Sequence, residues 1–270
     1  MIDGTVGMGG HAEALLMTSP ASVRLLGLDV DPEALARATA RLRPFGDRVR
    51  LARASFRDVD ATAQAHGVAA ARSILLDLGV SSYQLEESGR GFSFLREDEP
   101  LDMRLDPTQR DTAAALVNRL PEAELARIIF EYGEEPRARR IARAIVRRRP
   151  LATSGDLVAA VKSAVPRAAW PKRLHVATRT FQALRMAVND EPGALRQALA
   201  DAPALLTPGG RLGVISFHSG EDRIVKRTFR ALEPAGFAEL VPSPLEPKDD
   251  EVRANPRARS AKLRVLERLP

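Results

Sequence analysis

The feature that most constrains this chain is a glycine-rich turn near its start. An apolar-then-acidic beginning, Ile2-Asp3, runs into Gly4-Thr-Val-Gly-Met-Gly-Gly10-His11, and after a helical stretch the apolar run Arg24-Leu-Leu-Gly-Leu28 ends at Asp29. Strand, glycine turn, helix, second strand and terminal acid form the layout of a nucleotide pocket in an open α/β sheet. In that layout the glycines let the backbone approach a ligand and the acid reaches ribose hydroxyls.

The following residues keep the same alternation. Ala34, Leu35, Ala38 and Leu42 share one helical face behind a first-turn Pro32, Arg48-Val-Arg-Leu-Ala52 alternates as a strand does, and Ser73-Ile-Leu-Leu-Asp77-Leu reads as a buried parallel strand ending in an acid. The β-α-β-α-β order predicts a parallel sheet. After Ser82 the pattern breaks. Residues 86–107 are polar and loop-like, and helices are expected over 111–120, 122–132, 137–149, 155–165 and 178–188 with no strand between them. After a further helix over 191–205, the turn Leu206-Thr-Pro-Gly-Gly-Arg211 returns the chain to a strand, Leu212 to Phe217, and final strands are expected at 237–241 and 261–266 around an exposed loop over 242–259. The expected division is therefore a sheet domain in two parts, 1–95 and 189–270, with a helical domain inserted over 96–188.

Composition narrows the chemistry. Cysteine is absent, so disulfides, thiolate metal sites and a cysteine nucleophile are excluded, and the four histidines share no metal-ligand spacing. No run approaches the roughly 20 apolar residues that span a bilayer, and a cytoplasmic chain is expected. The net charge of +6 is modest, but clustering is more telling: Arg137, Arg139, Arg140, Arg143, Arg147, Arg148 and Arg149 form an acid-free run. Most such runs are solvated helix faces. With Arg257, Arg259, Lys262 and Arg264 this one suits a phosphate-binding rim for RNA. Trp170-Pro-Lys-Arg173 is a weaker candidate for a stacking surface, a core tryptophan being the commoner case.

Within the turn, Gly7-x-Gly9-x-x-Ala12 matches a dinucleotide fingerprint, a signal of low specificity. Asp3 argues against that reading, because a carboxylate at the strand end repels a pyrophosphate that backbone amides and a helix N-terminus should receive. The same carboxylate suits a ligand with a cationic amino group and a sulfonium, which describes S-adenosylmethionine. Asp29 then accepts hydrogen bonds from both ribose hydroxyls. Phe56 lies where a ring can cover adenine, although alone it reads as core. Asp77 alone reads equally well as a site acid or as a cap.

Longer strings decide among these. Asp77-Leu-Gly-Val-Ser-Ser82, Gln84-Leu85, Arg90-Gly-Phe-Ser-Phe94, Leu101-Asp-Met-Arg104, Tyr132-Gly-Glu-Glu135, Ala177-Thr-Arg-Thr-Phe-Gln-Ala183, Ile215-Ser-Phe-His-Ser219 with Glu221-Asp-Arg223, and Asn255-Pro-Arg-Ala-Arg259 together resemble the ribosomal RNA small-subunit methyltransferase H family (MraW-type) over essentially the whole chain. The resemblance implies a Rossmann-like class I methyltransferase sheet with an inserted all-helical subdomain, S-adenosyl-L-methionine as cofactor, and methylation of the exocyclic N4 of a specific cytidine in the decoding region of 16S rRNA. Cofactor contacts then fall on Gly9, Gly10, His11, Asp29, Phe56, Asp77 and Gln84, of which His11 and Gln84 come from the resemblance alone. Asp77 and His218 become the candidate catalytic residues, with the carbonyls of Leu78 and Gly79 as further acceptors for the amine and Phe92, Phe94 or Tyr83 as candidates to stack on the base.

The chain departs from the family at a few places. Members usually carry a further segment before the first strand, whereas this chain opens at Met1-Ile2; Gly220 stands for a usual Leu, Val176 for a usual Pro, and the segment between Pro234 and Asn255 is short. Two other readings remain open at the level of sequence: a methyltransferase for another substrate, and a non-catalytic RNA-binding or ribosome-assembly protein with a vestigial pocket. A homo-oligomer is compatible with either.

Overall fold

The computed structural model describes residues 1–172 and 174–270. In chain order its strands and helices are β1 (Ile2–Asp3), α1 (Gly10–Thr18), β2 (Leu25–Asp29), α2 (Pro32–Leu42), β3 (Val49–Arg53), α3 (Val59–Ala65), β4 (Ala71–Asp77), α4 (Ser82–Glu86), α5 (Ala113–Arg119), α6 (Glu122–Gly133), α7 (Ala138–Arg147), α8 (Ser154–Ala164), α9 (Thr178–Asn189), α10 (Glu191–Asp201), β5 (Leu206–Ser216), α11 (Ser219–Leu232), β6 (Phe237–Glu239), α12 (Asp249–Ala254) and β7 (Lys262–Arg268). Two compact units result. Met1–Gly79 and Pro192–Pro270 form the sheet unit, and Val80–Glu191 form the helical unit. The chain thus leaves the sheet unit after Gly79, directly beyond β4, whereas the sequence reading followed the polar loop and put the crossing at 95. Among the described residues no helix is long and apolar enough to cross a membrane.

The sheet unit holds seven strands in the order β3-β2-β1-β4-β5-β7-β6. β1 to β5 are parallel neighbours, and β7 runs antiparallel between β5 and β6. This is the Rossmann-like class I methyltransferase sheet. Leu25, Leu26 and Leu28 of β2 and Ile74 and Leu76 of β4 are buried, as expected of strands covered on both faces. Gly27 inside β2 makes room for its neighbours, since a Cβ there would lie 2.8 Å from Leu51 Cδ2 and 3.0 Å from Val6 Cγ2 and would push these side chains aside. The strand order reverses at β1, from which the chain proceeds to β2 and β3 before returning to β4 on the other side. Ligands bind such sheets at the carboxyl ends flanking this switch point.

Residues 206–211 show both the expected turn and strand pairing. Ala71 faces Leu206, yet Ser73 faces Arg211, so the intervening Thr-Pro-Gly-Gly segment bulges out of the ladder. The segment over 242–259, expected as loop, contains α12 and a 3-10 turn over Pro256–Ser260. Arg264, expected on a phosphate-binding rim, is instead buried at 5% exposure. Its guanidinium grips both carboxylate oxygens of Asp222 (2.7 and 3.3 Å) and donates to Glu239 at 2.8 Å. Strand alternation puts Arg264 on the face of β7 that buries Leu266, and a buried guanidinium needs carboxylate partners.

The helical unit has its own core, in which Leu125 and Ile129 of α6, Ile141 and Ile145 of α7, Leu157 and Val161 of α8 and Phe181 and Leu184 of α9 are packed together. Each such side chain contributes on the order of 1.5–3 kcal/mol by burial. Local signals fix the helix starts: Thr112 caps α5, and Thr153 with Asp156 forms a capping box on α8. Arg149, the last of the arginine run, is structural, because its guanidinium donates to the carbonyls of Val117 and Leu120 at the end of α5.

Candidate functional site

Three acids stand at the carboxyl ends of neighbouring strands: Asp3 on β1, Asp77 on β4 and Asp29 on β2. The glycine turn leaves the end of β1 with its amides already engaged by the sheet, Gly4 N donating to Leu75 O and Val6 N to Leu28 O, both at 2.9 Å. It enters α1 through Gly9, whose φ of 84° is the left-handed conformation that favours glycine; Gly10 is the first helical residue.

Asp3 is 1% exposed. One carboxylate oxygen accepts from Thr5 N at 3.1 Å, and the other, Oδ2, is buried without a partner. Burial pushes this carboxyl up to about 7, an effect opposed by the Thr5 amide and the nearby His11 and reinforced by the charges of Asp77 and Asp29.

Asp29 has a role that the sequence did not reveal. Its Oδ2 accepts from Gly7 N and its Oδ1 from Asp31 N, both at 2.9 Å, so the acid ties the glycine turn to the end of β2. Burial raises its pKa, and the Asp31 and Gly7 amides work against that rise. A carboxylate offers about four acceptor sites, so two bonds leave room for ribose hydroxyls. The neighbouring Asp31 caps α2 by accepting from Glu33 N at 3.1 Å.

His11 reaches across from the first turn of α1 to Asp77, with Nε2 3.2 Å from Oδ2. The hydrogen bond to Asp77 raises the His11 pKa; burial opposes this, and the charges of Asp77 and Asp3 add to it. Asp77 is anchored through its main chain as well, its N–H donating to Thr5 Oγ1 at 2.6 Å. Nothing in the sequence signalled this use of Thr5. The second carboxylate oxygen of Asp77, Oδ1, is buried and unpartnered. Phe56, half-buried in a short 3-10 turn after β3, packs its ring against the sheet core.

β5 neighbours β4, with Ile215 opposite Asp77. Three residues on, His218 caps α11, its Nδ1 accepting from Glu221 N at 3.3 Å. Its Nε2 lies 3.1 Å from Glu221 Oε1 without hydrogen-bond alignment. Glu221 also accepts from Phe217 N at 2.9 Å. With Nδ1 accepting, the ring proton is assigned to Nε2, so the basic lone pair of His218 is already engaged.

The remaining candidates belong to the helical unit. Gln84 closes the capping box of α4, its Oε1 accepting from Ser81 N at 2.8 Å. Of the proposed stacking residues, Tyr83 and Phe92 are buried, while Phe94 lies face to face with His175 at 4.4 Å. Trp170 packs on the helical core and donates from Nε1 to Val165 O, as a core tryptophan does; Arg173 lies outside the described residues. On α7 the side chains of Arg139, Arg140, Arg143 and Arg147 are exposed opposite the buried Ile141 and Ile145. Arg143 pairs with Glu122 at 3.3 Å; Arg139, Arg140 and Arg147 have no ion pair among the described residues.

The sequence was compared with known proteins. The family model described as the MraW methylase family matches residues 1–269. Proteins named "Ribosomal RNA small subunit methyltransferase H" are similar along nearly the whole chain. The one from Heliobacterium modesticaldum is 50% identical, covering 99% of this chain and 92% of its own. That from Kosmotoga olearia is 50% identical over 99% and 90%, and that from Thermotoga neapolitana 53% identical over 99% and 89%. A glycine turn and three strand-end acids on a class I methyltransferase sheet agree with that match, and the chain belongs to the MraW methylase family.

Proposed function

We propose that this protein is an S-adenosylmethionine-dependent methyltransferase that modifies the exocyclic N4 amine of a specific cytidine in the decoding region of 16S rRNA. The observation that carries the reading is the crevice at the carboxyl ends of β1 and β4, where Asp3 Oδ2 and Asp77 Oδ1 are buried without partners. Unpaired buried carboxylate oxygens are costly, and a ligand bearing an ammonium and a sulfonium relieves that cost. The names of the relatives support ribosomal RNA as the substrate, the longer sequence motifs support cytidine N4, and the exposed arginines of α7 suit a phosphate backbone.

The residues present fit the cofactor. Gly9 and Gly10 would let the main chain approach its methionine part, Asp3 would face its ammonium, and Asp29 would accept from the ribose while holding Gly7 in place. Phe56 would lie along the adenine. The cofactor supplies a methyl group already activated by its sulfonium. The protein's remaining task is to orient the amine, whose lone pair is delocalised into the cytosine ring. An acceptor for an N–H of that amine turns the lone pair out of conjugation and takes up developing positive charge. Asp77 is the acceptor at the switch point. His218, with Nδ1 engaged by its own helix, shapes the neighbouring wall.

The test is incubation with radiolabelled S-adenosylmethionine and undermethylated small subunits or free rRNA, followed by nucleoside analysis. Label in N4-methylcytidine is expected. Label in another nucleoside or in protein overturns the assignment.

A further inference from the structure

We infer that His11 is a positioning residue for Asp77: its ring N–H fixes the carboxylate orientation that receives the substrate amine. The inference rests on the methyltransferase reading above and gives His11 a duty distinct from contacting the cofactor.

Asp77 is held at two points. Its main chain is pinned by Thr5 Oγ1, which leaves the side-chain torsion undetermined. Its carboxylate has one protein partner among the described residues, His11 Nε2 on Oδ2, because Oδ1 is buried with none. A short acid with an unpartnered buried oxygen has little to hold its rotamer except that single bond. The bond occupies one acceptor site of Oδ2 and leaves the other open. The exposure of the two side chains agrees with this division. The Asp77 side chain is 29% exposed although its Oδ1 is buried, and the His11 side chain is 54% exposed. His11 is placed for this by the sequence itself. Gly9 turns the chain into α1, and two residues later the first helical turn projects the imidazole toward the end of β4.

The charges nearby point the same way. His11 faces Asp77 on β4 and Asp3 on β1, and both carboxyls favour its protonated form. A cation there strengthens the hydrogen bond and offsets the repulsion between two acids at adjacent strand ends. The hold on Asp77 is therefore firmest while His11 is protonated and loosens as pH rises through its raised pKa.

Two variants and one titration test the inference. With His11→Ala, methyl transfer at saturating cofactor is expected to fall about 10- to 100-fold, a loss in kcat that remains after any change in cofactor affinity, followed by calorimetry, has been saturated out. His11→Gln, which restores an amide N–H donor at similar reach, should recover part of the rate. The ratio of wild-type to His11→Gln rate should be largest at low pH and decline as His11 deprotonates, a pattern that loss of packing does not produce. In NMR titrations without turnover, the His11 pKa should fall in Asp77→Asn. An unchanged rate at saturating cofactor in His11→Ala overturns the inference, as does an unmoved His11 titration in Asp77→Asn. Absence of methyl transfer by the wild type instead sinks the methyltransferase reading, and this role with it.

Discussion

At the strand ends of the sheet unit, Asp3 and Asp77 keep carboxylate oxygens without a hydrogen-bond partner among the described residues; on the outer face of α7 in the helical unit, Arg139, Arg140 and Arg147 have no ion pair with an acid among the described residues. Several arginines elsewhere are instead matched closely by acids. Arg264 is locked between Asp222 and Glu239 in one, and Arg104 chelates Asp102 and Arg185 chelates Glu191 in the other. The two regions are thus electrically incomplete in opposite senses. The buried acids favour a small cation inside a low-dielectric site, and the exposed arginines favour anions along a solvated surface. On the proposed reading the difference teaches that cofactor and RNA would be recognised with separate physics, one governed by desolvation and the other by counterion release.

The largest effect expected on that comparison is at Asp3. The folded chain keeps this carboxyl protonated up to about pH 7, against a reference value of 3.8. Its contribution to stability is full below the reference value, is lost as pH rises from about 4 to about 7, and stays lost above that. Asp3→Asn should therefore stabilise the apoprotein at pH 8 by on the order of 2–4 kcal/mol, with little gain at pH 4, as read from thermal denaturation. Because a cationic ligand needs the ionised acid, wild-type cofactor affinity should weaken as pH falls below 7. A variant no more stable at pH 8 would show that Asp3 is not a desolvated acid. Next comes Asp29→Ala, which loses a charged acceptor to ribose and the tie to Gly7. Calorimetry should show cofactor binding weaker by on the order of 1–3 kcal/mol with RNA affinity unmoved. The smallest change is expected for Arg139→Ala combined with Arg140→Ala and Arg147→Ala. The slope of log affinity for RNA against log salt should flatten by about 2, at roughly 0.7 per phosphate, with S-adenosylhomocysteine binding unchanged. Loss of cofactor binding in this variant would break the separation between the two surfaces.

Much of this was visible in the sequence where a pattern has a period. The strands of the sheet unit announce themselves by alternation, α2 by Asp31-Pro32, and Asp29 by its place at the end of an apolar run. Helices α5 to α9 of the helical unit differ from their expected spans by at most a few residues at either end. What stayed hidden depends on contacts between distant residues. Nothing local distinguishes Arg264 or Arg149 from their basic neighbours, yet one is buried against two acids and the other caps a helix. The bonds from Asp29 to the glycine turn and from His11 to Asp77 join segments far apart in sequence. α11 was not anticipated as a full helix because its start, Ser219-Gly-Glu-Asp-Arg223, is polar and its buried face begins at an acid, Glu221, followed by only Val225 and Phe229 at helical spacing.

The pairing of β4 with β5 has a consequence for how the chain comes to be folded. Asp77 and Ile215 are partners in the ladder, yet the entire helical unit lies between them in sequence. During synthesis β1 to β4 emerge first and have no β5 to pair with until that insert has been made. In the meantime β4 presents an open edge, and the entropy of closing so long a loop falls as the insert becomes compact. Because β4 carries Asp77, the strand that waits longest for its neighbour is the one that bears the acid at the centre of the crevice.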